Sequence, residues 1–482
     1  MLFNFDNTYA RELEGFYVSQ IGAPAPAPKM LAFNSGLAAE LGLDATALNN
    51  EQGARIFAGS EMPEGASPLS MAYAGHQFGN FSAQLGDGRA LLLGEVIDTN
   101  GKRRDIHLKG SGRTPFSRGG DGKAVIGPVL REYLIGEAMH ALGVPTTRAL
   151  AAVTTGAQVM REGPQPGAVL ARVASSHLRV GTFQFFAARG EADRVKQLAD
   201  YAIVRHYPDL AEADAPYEEL LRAVMNRQAS LIAKWMSLGF VHGVMNTDNM
   251  TISGETIDYG PCAFLDAYNP KAVFSSIDQF GRYAYSSQPA IGGWNLARLA
   301  ESLLDLINPD SDEAVRIATE ILAEYLPAYE AEWLDLMRSK LGLFTSQEGD
   351  KRLVDHLFSA MHEARADFTQ VFRALPDPAT AAPLFETAPE AFEAWLPLYA
   401  ARLQTEPEAP RRKALMDGVN PVYIPRNHKV EEALSAASEG DILPFEALLK
   451  LLQTPFHPQA GFESYAEPAP AEFGPYRTFC GT

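Results

Sequence analysis

The chain has 482 residues, 46% of them hydrophobic and 21% charged, which is the composition of a folded globular protein. That length suffices for two or three domains or one large lobed domain. A formal net charge of −18 argues against general binding to nucleic acid, because polyanion binding needs a basic surface. No apolar span is long enough to cross a membrane, and the first residues lack a basic-then-apolar signal pattern, so we expect a cytoplasmic location without a membrane partner. With only two cysteines, a disulfide scaffold and a Cys-rich zinc site are excluded.

The segment from residue 81 to residue 109 predicts three strands, 81–85, 89–97 and 103–109, joined by two tight turns. Asp-Gly and Asn-Gly occupy those turns because Gly supplies the positive φ that a hairpin needs. In the third strand His107 and Lys109 alternate with apolar residues, so Lys109 points away from the apolar face. We interpret His107 as structural or pocket-lining, since no second metal-type residue lies at ligand spacing from it.

Helical periodicity begins after a Gly-rich loop at residues 110–123. The stretch 129–143 carries apolar residues every fourth position and predicts one helix, and 217–238 predicts a second, with Gly239 just past its end. Between them, residues 168–186 have strand-like composition. After about residue 290 the pattern is mostly helical.

The stretch "VHGVMNTDNM", residues 241–250, resembles the catalytic loop of a kinase. His242 and Gly243 match that pattern, and Asn249 stands at the position of the kinase Asn. Val244, however, occupies the position of the proton acceptor, and its side chain cannot take a proton. The loop therefore belongs to an inactive kinase or to an enzyme with a different chemistry.

Asn249 and Asp258 flank a Ser-Gly turn at residues 253–254. If that turn closes a two-residue hairpin, the two residues lie directly opposite each other, with Cβ atoms roughly 5 Å apart. An amide oxygen and a carboxylate at that distance can share a Mg²⁺ ion and leave coordination sites for phosphate and water. The alternative is a surface hairpin with two polar residues.

The segment that begins at Asp258, Asp-Tyr-Gly, resembles the kinase Asp-Phe-Gly segment. Upstream, a strand, a Gly-rich turn, a strand ending at Lys109 and a helix with Glu132 follow the order of a kinase N-lobe. In that order Lys109 contacts phosphates and Glu132 holds its ammonium group. Taken singly, a solvated lysine at a strand end and a surface carboxylate remain alternatives.

The loop "SRGGDGKA", residues 117–124, is not a P-loop, because it lacks the first Gly and the final Ser or Thr. The backbone amides of Asp121 and Gly122 can nevertheless bind a phosphate as a nest.

Together these segments resemble selenoprotein O, the family of kinase-like protein adenylyltransferases. The resemblance spans about residues 71–301 and rests on "QLGDGRALLLGE", "HLKGSGRTPFSRGGDGKA", "REYLIGEAMHALGVPT", "ARVASSHLRVGTF", "HGVMNTDNM", "DYGPCAFLD" and "IGGWNLARLAE". The segment "GVNPVYIPRNH" and the C-terminal Cys extend it to the end of the chain. It implies an α+β, bilobal protein-kinase-like fold. The implied parts are an N-terminal extension (1–70), an N-lobe (71–170), a C-lobe (171–300) and a C-terminal helical region with a redox tail (301–482).

The resemblance implies that ATP binds in a flipped orientation and that AMP is transferred to Ser, Thr or Tyr hydroxyls of protein substrates, redox-related proteins among them. The implied roles are contacts to ATP by Gly86, Gly88, Arg89, Lys109, Asp121, Gly122, Arg172, Arg179 and Asp258, a Lys109–Glu132 ion pair, and Mg²⁺ or Mn²⁺ at Asn249 and Asp258. Asp248 would be the proton acceptor, with an Asx-turn residue as the alternative. We expect a monomer.

Some members of the family carry selenocysteine near the C-terminus, where this chain has Cys480. Cys262 follows Asp258 by four residues. We hypothesise that Cys480 reaches Cys262 under oxidation and ties the tail to the active site, which requires Cα atoms within about 7 Å. A buried unpaired cysteine is the alternative for Cys262.

Three functions remain open at this point: a protein adenylyltransferase, a conventional kinase that uses Asp248 as a displaced base, and a catalytically silent ATP-binding module. The silent module is disfavoured because Asn249 and Asp258 are both retained. The kinase interpretation gives no function to Arg172 and Arg179, because ordinary kinases have no such pair of arginines.

Overall fold

The computed structural model describes residues 2–407 and 409–479, which form helices around one large antiparallel sheet. The strands are β1 Tyr17–Ser19, β2 Lys29–Phe33, β3 Leu69–Met71, β4 Gly75–Gln77, β5 Asn80–Ser82, β6 Ala90–Ile97, β7 Arg103–Lys109, β8 Ala124–Val125, β9 Arg148–Met160, β10 Pro164–Ala174, β11 Phe240–Val241 and β12 Ala263–Phe264.

The helices of the first 307 residues are α1 Thr8–Glu12, α2 Ser35–Glu40, α3 Ala45–Leu48, α4 Glu51–Phe57, α5 Ile126–Ala141, α6 Val180–Ala187, α7 Ala192–His206, α8 Pro216–Leu238 and α9 Gln288–Ile307. Those that follow are α10 Ser311–Ala323, α11 Tyr325–Lys340, α12 Asp350–Ala364, α13 Phe368–Ala374, α14 Pro378–Ala381, α15 Pro389–Leu403, α16 Arg412–Asp417, α17 Asn427–Ser438 and α18 Leu443–Leu452. No described helix is both long and apolar enough to cross a membrane.

The main sheet has the strand order β1-β3-β6-β7-β10-β9-β2, with β8 paired to β10. The predicted β6–β7 hairpin is confirmed, and Gly101 in its turn has φ +73°. The predicted strand at 81–85 is wrong: only Asn80–Ser82 is extended, and it pairs with β4 outside the main sheet. The place beside β6 is taken by β3, which is fully buried, whereas Phe81 is 44% exposed. Burial of apolar surface therefore overrides local strand propensity here.

The two faces of β7 differ in chemistry, as its alternation predicts. Ile106 and Leu108 lie in an apolar core that the helices α2 to α4 cover from outside. His107 and Lys109 lie on the opposite face. The segment 1–70 supplies this covering layer and the strands β1 and β2, so it is built into the sheet. The division of the chain at residues 70, 170 and 300 stays a prediction.

The two long predicted helices are confirmed as α5 and α8, and Gly239 ends α8 in the left-handed conformation with φ +71°. The helical pattern after residue 290 is confirmed by α9 to α18. The strand-like interpretation of 168–186 is wrong in its second half, because β10 ends at Ala174 and α6 begins at Val180. The hydroxyl of Thr182 accepts a hydrogen bond from the backbone N–H of Arg179 and so caps α6.

Candidate active site

A pocket of about 410 Å³ opens below the polar face of β7, between the Gly-rich loop and the loop at residues 244–261. It is lined by the predicted site residues Gly86, Gly88, Arg89, Lys109, Asp121, Gly122, Arg172, Arg179, Asp248, Asn249 and Asp258. Glu132 borders an adjoining cavity of about 870 Å³, which shares Lys109 with the pocket. Residues 473 and 475–479 of the C-terminal tail line the adjoining cavity.

Asp258 is the centre of the charges in the pocket. Lys109 Nζ donates to Asp258 Oδ1 at 2.5 Å and to Glu132 Oε2 at 2.6 Å. Arg172 Nη1 donates to the same two carboxylates at 2.7 and 2.8 Å, and Arg179 Nη1 donates to Asp258 Oδ2 at 3.2 Å. Burial opposes ionisation of Asp258, but the three cations hold its pKa well below the ordinary value. The side chains of Lys109 and Glu132 are only 13% and 7% exposed and pair with each other, so the solvated alternatives for them are wrong.

The backbone around the pocket is unusual. Among the described residues, four non-glycine residues have positive φ, namely Phe78, Arg118, Asp258 and Arg365. The first three line this pocket. Such conformations cost free energy and concentrate at functional sites, so their clustering marks the pocket independently of sequence motifs.

The segment 249–258 does not form the predicted hairpin. Thr251 pairs with Arg179, and Thr256 pairs with Thr146, so each half bonds to a neighbouring segment instead of to the other half. Thr251 Oγ1 donates to the backbone oxygen of Glu255 at 2.7 Å and closes the turn by a side-chain contact. Tertiary pairing has replaced the local ladder, yet the two ends of the segment still meet in the pocket.

The pocket offers a divalent cation two protein ligands. In residues 2–407 and 409–479, no group of three or more His, Cys, Asp or Glu side chains is arranged to hold a metal ion. Asn249 Nδ2 donates to the backbone oxygen of Val244 at 3.0 Å, which leaves the amide oxygen as the group available to a cation. With the carboxylate of Asp258, this set fits Mg²⁺, which commonly binds one or two protein oxygens and completes its shell with phosphates and water.

Asp248 differs from Asp258 in its surroundings. Its Oδ2 accepts a hydrogen bond from Gln77 Nε2 at 3.1 Å, and its buried Oδ1 has no hydrogen-bond partner among the described residues. Burial raises the pKa of Asp248 to about 6. A Cβ atom at Gly75 would lie 2.3 Å from Asp248 Oδ1, so β4 must carry glycine there for the carboxylate to lie where it does.

The Gly-rich loop adds positive charge at the rim of the pocket. Seven cationic side chains line the pocket against four aspartates: Arg89, Lys109, Arg118, Lys123, Arg161, Arg172 and Arg179. This local excess contrasts with the net charge of −18 and suits a triphosphate. The carboxylate of Asp121 pairs with Arg161 at 2.9 Å. The group of Asp121 that can bind an anion is therefore its backbone N–H. Gly122 has φ +68°, and a Cβ atom there would lie 2.1 Å from the Gly112 oxygen.

Several residues of the pocket have no role assigned by the sequence motifs. Asp87, inside the predicted Gly-Asp-Gly turn, is 2% exposed and lines the pocket. Its position between two glycines suggested only a turn residue, and its burial depends on the packing of β3. Arg118, Lys123 and Arg161 also line the pocket, and the clustering of basic residues in the loop was the signal for the first two.

Cys262 is fully buried, and burial raises its pKa to about 11. Cys480 lies outside the described residues. The described part of the tail nonetheless approaches this region: Thr478 Oγ1 donates to the backbone oxygen of Pro261 at 2.8 Å, and the Ser276 N–H donates to the Thr478 oxygen at 3.0 Å.

Known proteins are similar to this chain along its length. A family model described as "Protein adenylyltransferase SelO" matches residues 1–453. The "Protein nucleotidyltransferase YdiU" of Cereibacter sphaeroides strain KD131 is 60% identical over 488 residues, covering 100% of both chains. The proteins of the same name from Rhizobium meliloti strain 1021 and Rhodopseudomonas palustris strain BisB5 are 57% and 55% identical over 489 residues, covering 100% of this chain and 99% of each relative. The chain therefore belongs to the SelO family of protein adenylyltransferases.

Proposed function

We propose that the protein transfers AMP from ATP to Ser, Thr or Tyr hydroxyls of protein substrates. The observation that carries the proposal is the position of Asp248. Its carboxylate is buried in the pocket and has one oxygen without a hydrogen-bond partner among the described residues, whereas Val244 occupies the place of the kinase base. In flipped ATP the reacting atom is the α-phosphorus, which lies elsewhere than the γ-phosphorus of a kinase substrate. A base at Asp248 instead of at the position of Val244 fits this difference. The chemistry matches the names of the family model and of the relatives.

The cations around Asp258 are the groups that hold the phosphates. Lys109, Arg172 and Arg179 carry three positive charges within hydrogen-bond distance of one carboxylate. Phosphate oxygens compete with that carboxylate for the same donors, and guanidinium groups suit them because they bind oxygen pairs. Mg²⁺ at Asn249 and Asp258 would supply further neutralisation of the phosphate charge. Transfer of this kind depends mainly on positioning and on charge neutralisation.

Asp248 acts as the proton acceptor. The substrate hydroxyl gives its proton to the carboxylate as its oxygen forms a bond to the α-phosphorus, and the bond from that phosphorus to the bridging oxygen breaks to release diphosphate. A carboxylate whose pKa lies near 6 is ionised at neutral pH and is a stronger base than an exposed aspartate. ATP in the flipped orientation presents its α-phosphate to this carboxylate.

A bilobal protein-kinase-like fold accommodates these roles. The antiparallel sheet with Lys109, the helix α5 with Glu132, and the loop at 241–250 behind α8 follow one another in the kinase order. The N-lobe would then end near residue 170 and the C-lobe near 300. The redox-related substrates, the monomeric state and the cytoplasmic location remain predictions from the sequence.

Labelled ATP separates the proposed activity from a kinase activity. The protein and a general protein substrate are incubated with Mg²⁺ and ATP labelled on the α- or the γ-phosphate. We expect covalent label on protein only from the α-position, lost when EDTA removes the metal. Label from the γ-position would identify a kinase. Absence of both labels would identify a silent ATP-binding module.

We also propose that oxidation joins Cys480 to Cys262. Thr478, two residues before Cys480, is hydrogen-bonded to Pro261, the neighbour of Cys262. The tail therefore reaches the segment that follows Asp258, and a disulfide would hold it there. The high pKa of Cys262 disfavours its thiolate, so Cys480 would react first with a small disulfide oxidant and release one thiol of it. Cys262 would then displace the second thiol from this mixed disulfide.

Mass spectrometry of proteolysed protein tests this bond. After mild oxidation we expect one cross-linked peptide pair that contains both cysteines, and its loss on reduction. Cys262→Ser should abolish the pair and leave Cys480 reactive to a thiol reagent. If both thiols of the oxidised protein react with the reagent, the disulfide does not form.

A further inference from the structure

We propose that Asp87 and His107 form a positioning pair that sets the guanidinium groups of Arg172 and Arg179 against Asp258 and the phosphates. This inference rests on the proposed function, in which the two arginines bind ATP. Neither Asp87 nor His107 is placed to contact Asp258. They act through the arginines.

The hydrogen bonds determine the protonation of His107. Arg172 Nε donates to His107 Nδ1 at 3.3 Å, so Nδ1 must be the unprotonated nitrogen. Nε2 then carries the proton and donates to Asp87 Oδ2 at 3.1 Å. The side chain of His107 is completely buried, and burial lowers its pKa, which is consistent with this neutral form. One uncharged imidazole thus connects a carboxylate to a guanidinium.

The sheet holds this arrangement rigidly. His107 on β7 lies directly opposite Arg172 on β10, so both side chains rise from the same face at adjacent positions. Lys109 follows two residues later on that face. Asp87 is held from the other side, because the N–H of Met71 donates to its Oδ2 at 3.0 Å. Side chains on neighbouring strands keep their separation better than side chains on loops.

Asp87 also faces the second arginine. Its Oδ1 lies 3.8 Å from Arg179 Nη2 and has no hydrogen-bond partner among the described residues. The guanidinium of Arg179 lies over the ring of Tyr73, 4.4 Å from the centroid. Attraction to Asp87 and stacking on Tyr73 therefore orient Arg179 while its Nη1 donates to Asp258.

The consequence concerns ATP binding. With its Nε bound to His107, Arg172 directs Nη1 to Asp258 and Glu132, so its guanidinium is oriented before ATP arrives. Preorganised donors lose less conformational entropy when the ligand binds. Without the acceptor on His107, Arg172 loses this orientation. Part of the binding free energy of ATP is then used to orient Arg172, and the affinity for ATP falls. Interactions equally strong with substrate and transition state change KM more than kcat.

Two substitutions separate the two bonds of His107. In His107→Asn the amide oxygen takes the place of Nδ1 and keeps an acceptor for Arg172. In His107→Gln the amide nitrogen takes the place of Nε2 and keeps a donor for Asp87, but Arg172 loses its acceptor. We expect His107→Gln to raise the KM for ATP about tenfold with kcat changed less than about threefold. We expect His107→Asn to stay within about threefold of the wild type in KM.

Stability and ATP affinity are measured in the same proteins. Both variants should lose similar thermal stability, as should His206→Gln, a substitution of a half-buried histidine outside the pocket. The KM of the His206→Gln variant for ATP should stay unchanged. If His107→Gln leaves KM unchanged, or if both His107 variants raise KM equally, the positioning role is wrong. The dissociation constant of ATP, measured by calorimetry, should rise in His107→Gln and stay near the wild-type value in His107→Asn. This result does not require AMP transfer, so the positioning role and the proposed activity can fail separately.

Discussion

Asp258→Asn is expected to lower kcat for AMP transfer by at least about 100-fold. The substitution keeps the volume of the side chain but removes the charge that holds Lys109, Arg172 and Arg179 together and that would bind Mg²⁺. The measurement is transfer of label from α-labelled ATP at saturating ATP and Mg²⁺. ATP affinity without the metal should not fall, because the three cations are released for the phosphates.

The same change should destabilise the fold. Lys109 and Arg172 would keep only Glu132 as a carboxylate partner, and Arg179 would keep only Asp87, 3.8 Å away. Breaking a buried ion pair costs about 3–5 kcal/mol. Urea unfolding measures the loss. Asp200→Asn, an exposed aspartate paired with Lys196 on α7, is the matched control and should match the wild type in transfer and nearly match it in stability. Wild-type transfer by Asp258→Asn would show that the metal assignment is wrong.

Asp248→Asn is expected to lower kcat by about 100- to 10,000-fold, the range for loss of a general base, while the affinity for ATP stays within a few fold. The hydroxyl of the substrate then has no carboxylate to take its proton. Single-turnover transfer from α-labelled ATP measures the chemical step, and calorimetry measures ATP binding. A residual rate near that of the wild type would place the base elsewhere in the pocket.

The effect of Asp248→Asn on stability should have the opposite sign to that of Asp258→Asn. The folded pKa of Asp248, about 6, lies above its ordinary value of 3.8, so the folded state binds the proton more tightly. The free energy of unfolding therefore falls as pH rises from about 4 to 6 and stays reduced above 6. At pH 7 the Asn variant should be more stable by about 1–3 kcal/mol, and this difference should vanish below about pH 4. A variant that is less stable than the wild type at both pH values would contradict this assignment of the pKa.

In the proposed reaction these two carboxylates have different roles, and their environments differ accordingly. Asp258 is kept ionised by three cations, whereas the carboxylate of Asp248 is buried beside β4 and accepts a side-chain hydrogen bond from Gln77. Their pKa values are displaced in opposite directions from a common starting value. Separation of this kind distinguishes a charge-holding group from a proton-transferring group. The stability cost at Asp248 is consistent with a residue retained for function.

Much of the site was predictable because its signals are local. The Asn-Gly turn between β6 and β7, the periodicity of α5 and α8, and the alternation along β7 placed Lys109, Glu132 and the loop at 241–250 on the correct elements. The spacing of polar and apolar residues along one strand or helix determines which face each side chain occupies. The resemblance to the SelO family rested on these same segments, and the comparisons confirm it.

The tertiary structure decided which residues meet. Local pattern predicted a strand at 81–85 and a hairpin between Asn249 and Asp258, but burial of β3 and pairing of Thr251 and Thr256 with distant segments prevailed. The contacts from Asp87 to His107, from His107 to Arg172, and from Tyr73 to Arg179 join segments up to 106 residues apart. The sequence by itself determined β6, β7, α5 and α8 and the face of β7 that carries Lys109. Only the packing of sheet, loop and helix decided that three cations surround Asp258 and that Asp248 is buried without a cation bound to its carboxylate. Both environments depend on burial and on residues far along the chain.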